Sequence, residues 1–208
     1  TAKPKAETIT LTLEYAGVSL PLHFEAGSAV LLSSYDEQVL HGCWQSLTQE
    51  KSRCTLQIGG KTLPLRGLAD LRKHRIAVWD GTAEPPALQE NLTLQENILL
   101  PSMQRISQCG FFEMAAKKVF SDREFWQDRL PIKTEPDSVK TARVLADRWL
   151  FFHPRVLFVY NVFSSSDYTV RRILQQFVQD LCARGTTVVL LETADHSCRS
   201  FVNAEISL

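Results

Sequence analysis

The sequence predicts an α/β domain: a parallel core sheet, an antiparallel β part at the N-terminal end, and helices between. Three observations carry this. Four short apolar runs, at 29–32, 76–79, 156–159 and 186–191, have the length and make-up of strands buried on both faces. The last two flank an amphipathic stretch, and strand–helix–strand order at this spacing makes parallel neighbours. Residues 8–24 instead alternate apolar and polar about Tyr15-Ala16-Gly17, as a hairpin does.

Along the chain, Ile9, Leu11 and Leu13 supply the apolar side of the first hairpin strand, and Val18, Leu20, Leu22 and Phe24 that of the second. Glu25-Ala26-Gly27-Ser28 turns into the run at 29–32. A polar turn leads to a helix over 37–47. Residues 54–65 carry strand signals around Gly59-Gly60-Lys61, which is too short for a phosphate loop and reads as a turn. Residues 80–91 are rich in Gly, Pro and polar side chains and read as a loop. Residues 94–130 read as mainly helical, with Phe111, Phe112, Phe120, Phe125 and Trp126 as the core of that part. A helix over 138–152 is stopped by His153-Pro154. The amphipathic helix over 167–184 carries Val170, Ile173, Leu174, Phe177, Val178 and Leu181 at helical spacing and ends on Gly185.

The 208 residues suit one such domain. Lys+Arg and Asp+Glu are both 23, so the chain advertises affinity neither for nucleic acid nor for an anionic membrane surface. Cys43, Cys54, Cys109, Cys182 and Cys198 are odd in number and form no CxxC pair. A disulfide framework or zinc site is therefore not expected, and a reducing cytoplasm is. In that setting Asn91-Leu92-Thr93 is a chance glycosylation sequon, and Cys43 beside Trp44 reads as packed. No apolar run reaches the roughly 18–20 residues that span a bilayer, and no signal-peptide core follows Thr1. Any work at a membrane is expected to be peripheral, on its inner face. HExxH, GxSxG, DxDxDG and GxGxxG are all absent, and the five histidines are scattered. No catalytic residue, metal or cofactor is expected.

Three stretches stand in a telling order. The first is Leu92-Thr93-Leu94-Gln95-Glu96-Asn97-Ile98-Leu99-Leu100-Pro101. The second runs from Ala142-Arg143 through His153-Pro154-Arg155-Val156-Leu157-Phe158-Val159 to Phe163-Ser164-Ser165-Ser166-Asp167. The third is Ala183-Arg184-Gly185-Thr186-Thr187-Val188-Val189-Leu190-Leu191. Together they resemble the ATP-binding domain of ABC transporters. The first is similar to the start of the family's helical subdomain. The second resembles the helix after the signature motif, the Walker B strand and the D-loop. The third resembles the strand before the switch histidine. The first third of the chain matches in layout. The resemblance implies a P-loop NTPase-like ABC ATPase fold over 1–208, a single domain whose helical subdomain, about 92–152, is inserted in the α/β core.

The resemblance also allows each position of the family's chemistry to be read. A phosphate loop needs glycines, a Lys and a hydroxyl for Mg²⁺. After 29–32 stands Ser33-Ser34-Tyr35-Asp36-Glu37-Gln38-Val39-Leu40-His41, with Val39 at the Lys position and Leu40 at the first hydroxyl position. Asp80 stands for the Q-loop glutamine, and Pro136-Asp137-Ser138-Val139-Lys140 for the signature. Tyr160 and Asn161 stand for the two Walker B carboxylates, and Ala194 or Thr193, with His196 close by, for the switch histidine. On this reading the chain is expected to be no enzyme: a degenerate ABC ATPase, or pseudo-ATPase, serving as a structural or regulatory module.

The resemblance then implies protein partners: an ABC-type ATPase as the other half of a dimer, or an integral membrane subunit. The expected partner-binding residues are Asp80, Leu94, Glu96 and Asn97, in the 80–101 stretch that meets the membrane subunit in the family, and Ser165 and Asp167 of the D-loop. Ser164–Asp167 also suits a plain helix N-cap. Two other readings stay open: an ATP-binding transporter subunit with residual nucleotide binding and slow hydrolysis, and an unrelated α/β small-ligand module.

Overall fold

A computed structural model describes residues 7–82, 88–89, 92, 94–102, 107–108, 111–112, 138–164, 166–194 and 198–208. They fall into two compact units: Thr1–Thr82, Pro154–Asp167 and Val178–Leu208 in one, Ala83–His153 and Tyr168–Phe177 in the other.

The first unit opens with the hairpin β1 (Thr8–Tyr15) and β2 (Val18–Glu25). Ala16 and Gly17 between them both have positive φ, 51° and 80°, as a two-residue hairpin turn with right-handed strand twist requires. β3 (Ala29–Ser34), buried throughout, leads to α1 (Glu37–Thr48). β4 (Thr55–Ile58) and β5 (Lys61–Pro64) are joined by Gly59 and Gly60, and the antiparallel sheet has the order β2-β1-β4-β5. After α2 (Gly67–Lys73) comes β6 (Ile76–Asp80).

The chain returns to this unit with β9 (Val156–Tyr160), β10 (Thr187–Thr193) and β11 (Ala204–Ser207). These form a five-stranded sheet in the order β11-β3-β10-β9-β6, in which every pairing is parallel. One continuous core joins the two sheets through α1. It takes Ile9, Leu11 and Leu56 from the antiparallel sheet, Val30, Phe158 and Val189 from the parallel one, and Leu40, Trp44 and Leu47 from the helix. Leu31, Leu157 and Leu190, which alternate with these, are buried too, so both faces of the parallel sheet are covered.

The second unit holds α3 (Leu94–Leu99), a 3₁₀ turn over Leu100–Ser102, the short strands β7 (Ser107–Gln108) and β8 (Phe111–Phe112), and α4 (Ser138–Phe152). Its polar anchor is Arg148, which is buried and donates from Nε to the Asn97 carbonyl at 2.9 Å. Helix α5 (Tyr168–Ala183) buries Val170, Leu174, Phe177, Val178 and Leu181 and stops at Gly185, whose φ is +88°.

The strands at 29–32, 76–79, 156–159 and 186–191 and the helices at 37–47, 138–152 and 167–184 all form, with ends shifted by one or two residues. Of the described residues of 94–130, those at 94–102 are helical as expected, but those at 107–108 and 111–112 are not. α3 ends at Leu99, and Phe111 and Phe112 pair antiparallel with Gln108 and Ser107. Aromatic side chains favour strands, and the two-residue strands of Ser107-Gln108-Cys109-Gly110-Phe111-Phe112 are too short to show a period that separates the two states. Phe120, Phe125 and Trp126 lie outside the described residues.

Candidate functional site

The C-terminal ends of β3, β6, β9 and β10 bring the family-matched positions of the first unit together. The first turn of α1 is where a phosphate loop would stand. Here Ser34 Oγ accepts from the Asp36 N–H at 3.2 Å, and Asp36 is the N-cap, its Oδ1 accepting from the Gln38 N–H at 2.8 Å. The helix terminus is thus closed by the chain's own carboxylate. Leu40 is buried, Val39 is half-buried against the core, and Tyr35 stands out at 88% exposure.

Tyr160 ends β9 and stacks on Trp44 of α1, with ring centroids 5.2 Å apart and planes 14° off parallel. Trp44 Nε1 donates to Asp80 Oδ2 at 2.9 Å, and Asp80 Oδ1 accepts from the Thr82 N–H at 2.9 Å. The positions matched to Walker B and the Q-loop are therefore joined through an indole. Burial raises the Tyr160 phenol above its usual pKa, and Asp80, Glu37 and Glu192 add to the rise. Beside it a cavity of about 30 Å³ is lined by Glu37, Leu40, Tyr160, Asn161, Leu191 and Thr193, with room for about two water molecules.

The loop after β9 is held by Glu192 of β10, which is 1% exposed. Its Oε1 accepts from the Val162 N–H at 2.6 Å and the Phe163 N–H at 2.9 Å, and its Oε2 from the Ser164 N–H at 3.1 Å. Burial raises the Glu192 pKa, and these hydrogen bonds pull it back in part. Asn161 has φ +49°, and its side chain accepts from Ser164 Oγ. Sequence reasoning misses Glu192, because its donors lie 28 to 30 residues upstream.

Of the expected partner-binding residues, Asp80 is engaged by Trp44 and Thr82, and Asp167 is exposed. Glu96 is half-buried on α3, and Leu94 lies in its first turn. Asn97 is fully buried: its Oδ1 accepts from the Gln89 N–H at 2.7 Å, and its Nδ2 donates to the Gln89 carbonyl at 3.0 Å. It shapes its own segment from within. Ser165, His196, Pro136 and Asp137 lie outside the described residues. Cys43 is packed, as its neighbours suggest, and burial followed by nearby Cys54 pushes its thiol up to about 11.

The arrangement defines a class: the fold is that of an ATP-binding cassette. A cassette of an ABC transporter in its ADP conformation superposes with a TM-score of 0.72 over 98% of this chain and 88% of the other, at 13% identity. A nucleotide-free cassette from an ABC transporter gives 0.71 over 97% and 87%, also at 13% identity. No family model matches the chain. Among curated proteins it is similar to the ribose import ATP-binding protein RbsA of Oceanobacillus iheyensis, 24% identical over 144 residues, and to that of Lactococcus lactis subsp. lactis, 22% over 147. These matches cover 65% and 67% of this chain but only 29% and 30% of the relatives, so the chain spans about three tenths of their length.

These relatives correct one expectation. Side chains taken position by position predict no enzyme, whereas the proteins the chain matches over some two thirds of its length are named ATP-binding proteins. A reading by single positions gives no weight to what the fold shares with them as a whole. The residues at the phosphate position still limit the chemistry. Asp36 occupies the α1 terminus, its Oδ1 accepting from the Gln38 N–H at 2.8 Å. That carboxylate would meet a polyphosphate with like charge, and no hydrolytic step is routed through the site.

Proposed function

We propose that the chain is the ATP-binding cassette domain of an ABC-type transporter, with weak nucleotide binding and slow hydrolysis. The observation that carries this is the 144-residue similarity to ribose import ATP-binding proteins on a chain with the cassette fold. The weakness follows from Asp36 at the α1 terminus, which repels a polyphosphate and competes for the same N–H groups. The domain works in the cytoplasm, peripheral to the inner face of a membrane. Its helical subdomain, about 92–152, docks on an integral membrane subunit through the segment holding Leu94 and Glu96, which Asn97 shapes. The loop with Ser165 and Asp167 meets a second ABC-type ATPase domain, as the exposure of Asp167 and the bonded loop before it suit.

Nucleotide titration tests the reading. Thermal and urea unfolding with millimolar ATP and Mg²⁺ should show stabilisation of about 1.4 kcal/mol where ATP is tenfold above its Kd. Asp36→Gly should tighten binding by removing the competing carboxylate. No stabilisation in either protein overturns the nucleotide reading. Glu96→Lys should weaken recovery of the membrane subunit from native membranes, and an unchanged recovery overturns the docking assignment.

A further inference from the structure

We propose that Glu192 is a positioning residue: its carboxylate is a built-in anion that sets the shape of the loop between β9 and α5. Three successive backbone N–H groups, of Val162, Phe163 and Ser164, converge on its two oxygens at 2.6, 2.9 and 3.1 Å. Such a run of N–H groups forms a concave nest that takes an anion. In this chain the anion comes from the end of β10, not from a ligand. Nothing in the preceding function uses this group.

The loop is closed around that bond from other sides. The Gly81 N–H donates to the Tyr160 carbonyl at 2.8 Å, and a Cβ on Gly81 would lie 2.5 Å from the Asn161 oxygen and 2.8 Å from Val162 Cα. Ser166 Oγ donates to the Val162 carbonyl at 2.6 Å. Phe163 packs on Phe201 with ring centroids 5.2 Å apart. Each of these fixes one residue, whereas Glu192 holds three consecutive amides. A shift of β10 by the length of a hydrogen bond would release all three, so the end of β10 and the loop leading to Asp167 move as one piece. The meaning of that loop as a pairing surface rests on the proposed function; the positioning itself does not.

Amide hydrogen exchange in the full chain tests this without nucleotide or partner. Glu192→Gln keeps the volume but turns an NH₂ toward the Ser164 N–H, donor against donor. Exchange at Ser164 should quicken about 10- to 100-fold, the effect of losing a hydrogen bond to a charged group, with smaller effects at Val162 and Phe163 and none in β3. Glu192→Ala should free all three amides, and formate added to that variant should restore their protection. Unchanged protection at 162–164 in Glu192→Gln overturns the proposal whether or not Glu192→Ala folds. So does a folded Glu192→Ala that formate does not rescue. A failed ATP titration would leave this result standing, and a failed exchange result would leave the nucleotide reading standing.

Discussion

Tyr160, Trp44 and Asp80 show how much one side chain can decide. The Tyr160 ring fills the end of β9 by stacking on Trp44, while its hydroxyl makes only a 3.5 Å approach to His41 Nδ1. Tyr160→Ala should therefore cost about 3–5 kcal/mol in urea unfolding, through lost burial and stacking. Tyr160→Phe should cost under about 1 kcal/mol, since only the weak polar approach goes. Equal losses in the two variants would place the energy in the hydroxyl and refute the stack. Glu192 adds a pH dependence. Its folded pKa is raised, so between the unfolded value, near 4.5, and the raised one the folded chain binds more protons. Its contribution is greatest below the unfolded value and is lost as pH rises through the raised one. The groups around it are Tyr160 on β9, with Asp80 and Glu37 beyond, and Ser33 on β3, which donates to Glu205, itself paired with Arg199. The stability of the native chain relative to Glu192→Gln should fall with rising pH, and a flat or rising difference would contradict this. None of it is legible in the sequence, because a lone Glu after an apolar strand carries no sign of the three amides it meets.

At the scale of elements the sequence is more informative, and the reasons are specific. Asp36 before Glu37 is an N-cap signal, and α1 begins where it says. Strands buried on both faces give themselves away as unbroken apolar runs, and β3, β9 and β10 do. α2 and β11 leave no such trace. α2 has seven residues, opens on Gly67 and lacks a side-chain cap, and β11 has four with no alternation to read. Gly42 in mid-α1 marks a close approach. A Cβ there would run into the Tyr15 ring, with Cδ2 at 2.9 Å and Cζ at 3.0 Å. Gly42→Ala should gain up to about 1 kcal/mol of helix propensity and still destabilise, since overpacking costs about 1–3 kcal/mol. Combining it with Tyr15→Ala should recover the propensity gain, which a double-mutant cycle by denaturant unfolding would measure. Additive losses would show that the ring is not the obstacle.

For the molecule as a whole, the family-like stretches predict the arrangement of strands and helices well, and the activity less well. Order and spacing of buried runs are set by packing, which the sequence displays. Nucleotide affinity depends on backbone amides and on what else reaches them: the sequence shows Asp36 as a cap, but only the structure shows its Oδ1 on the Gln38 N–H. The place of β3 has a further consequence, which concerns time. β3 pairs only with β10 and β11, whose residues begin at Thr187 and Ala204. On the ribosome this fully buried strand emerges before both partners and waits for some 150 residues to be added before either exists. At typical synthesis rates that delay is roughly 10–30 s. Nascent chains stalled before residue 187 should be cut readily by protease within 29–34 and retained by chaperones. Chains stalled well past 208, with the C-terminal strands clear of the exit tunnel, should resist. Early protection would mean that the β1–β2 hairpin and α1 shelter the strand alone, and that the newborn core closes long before its sheet is complete.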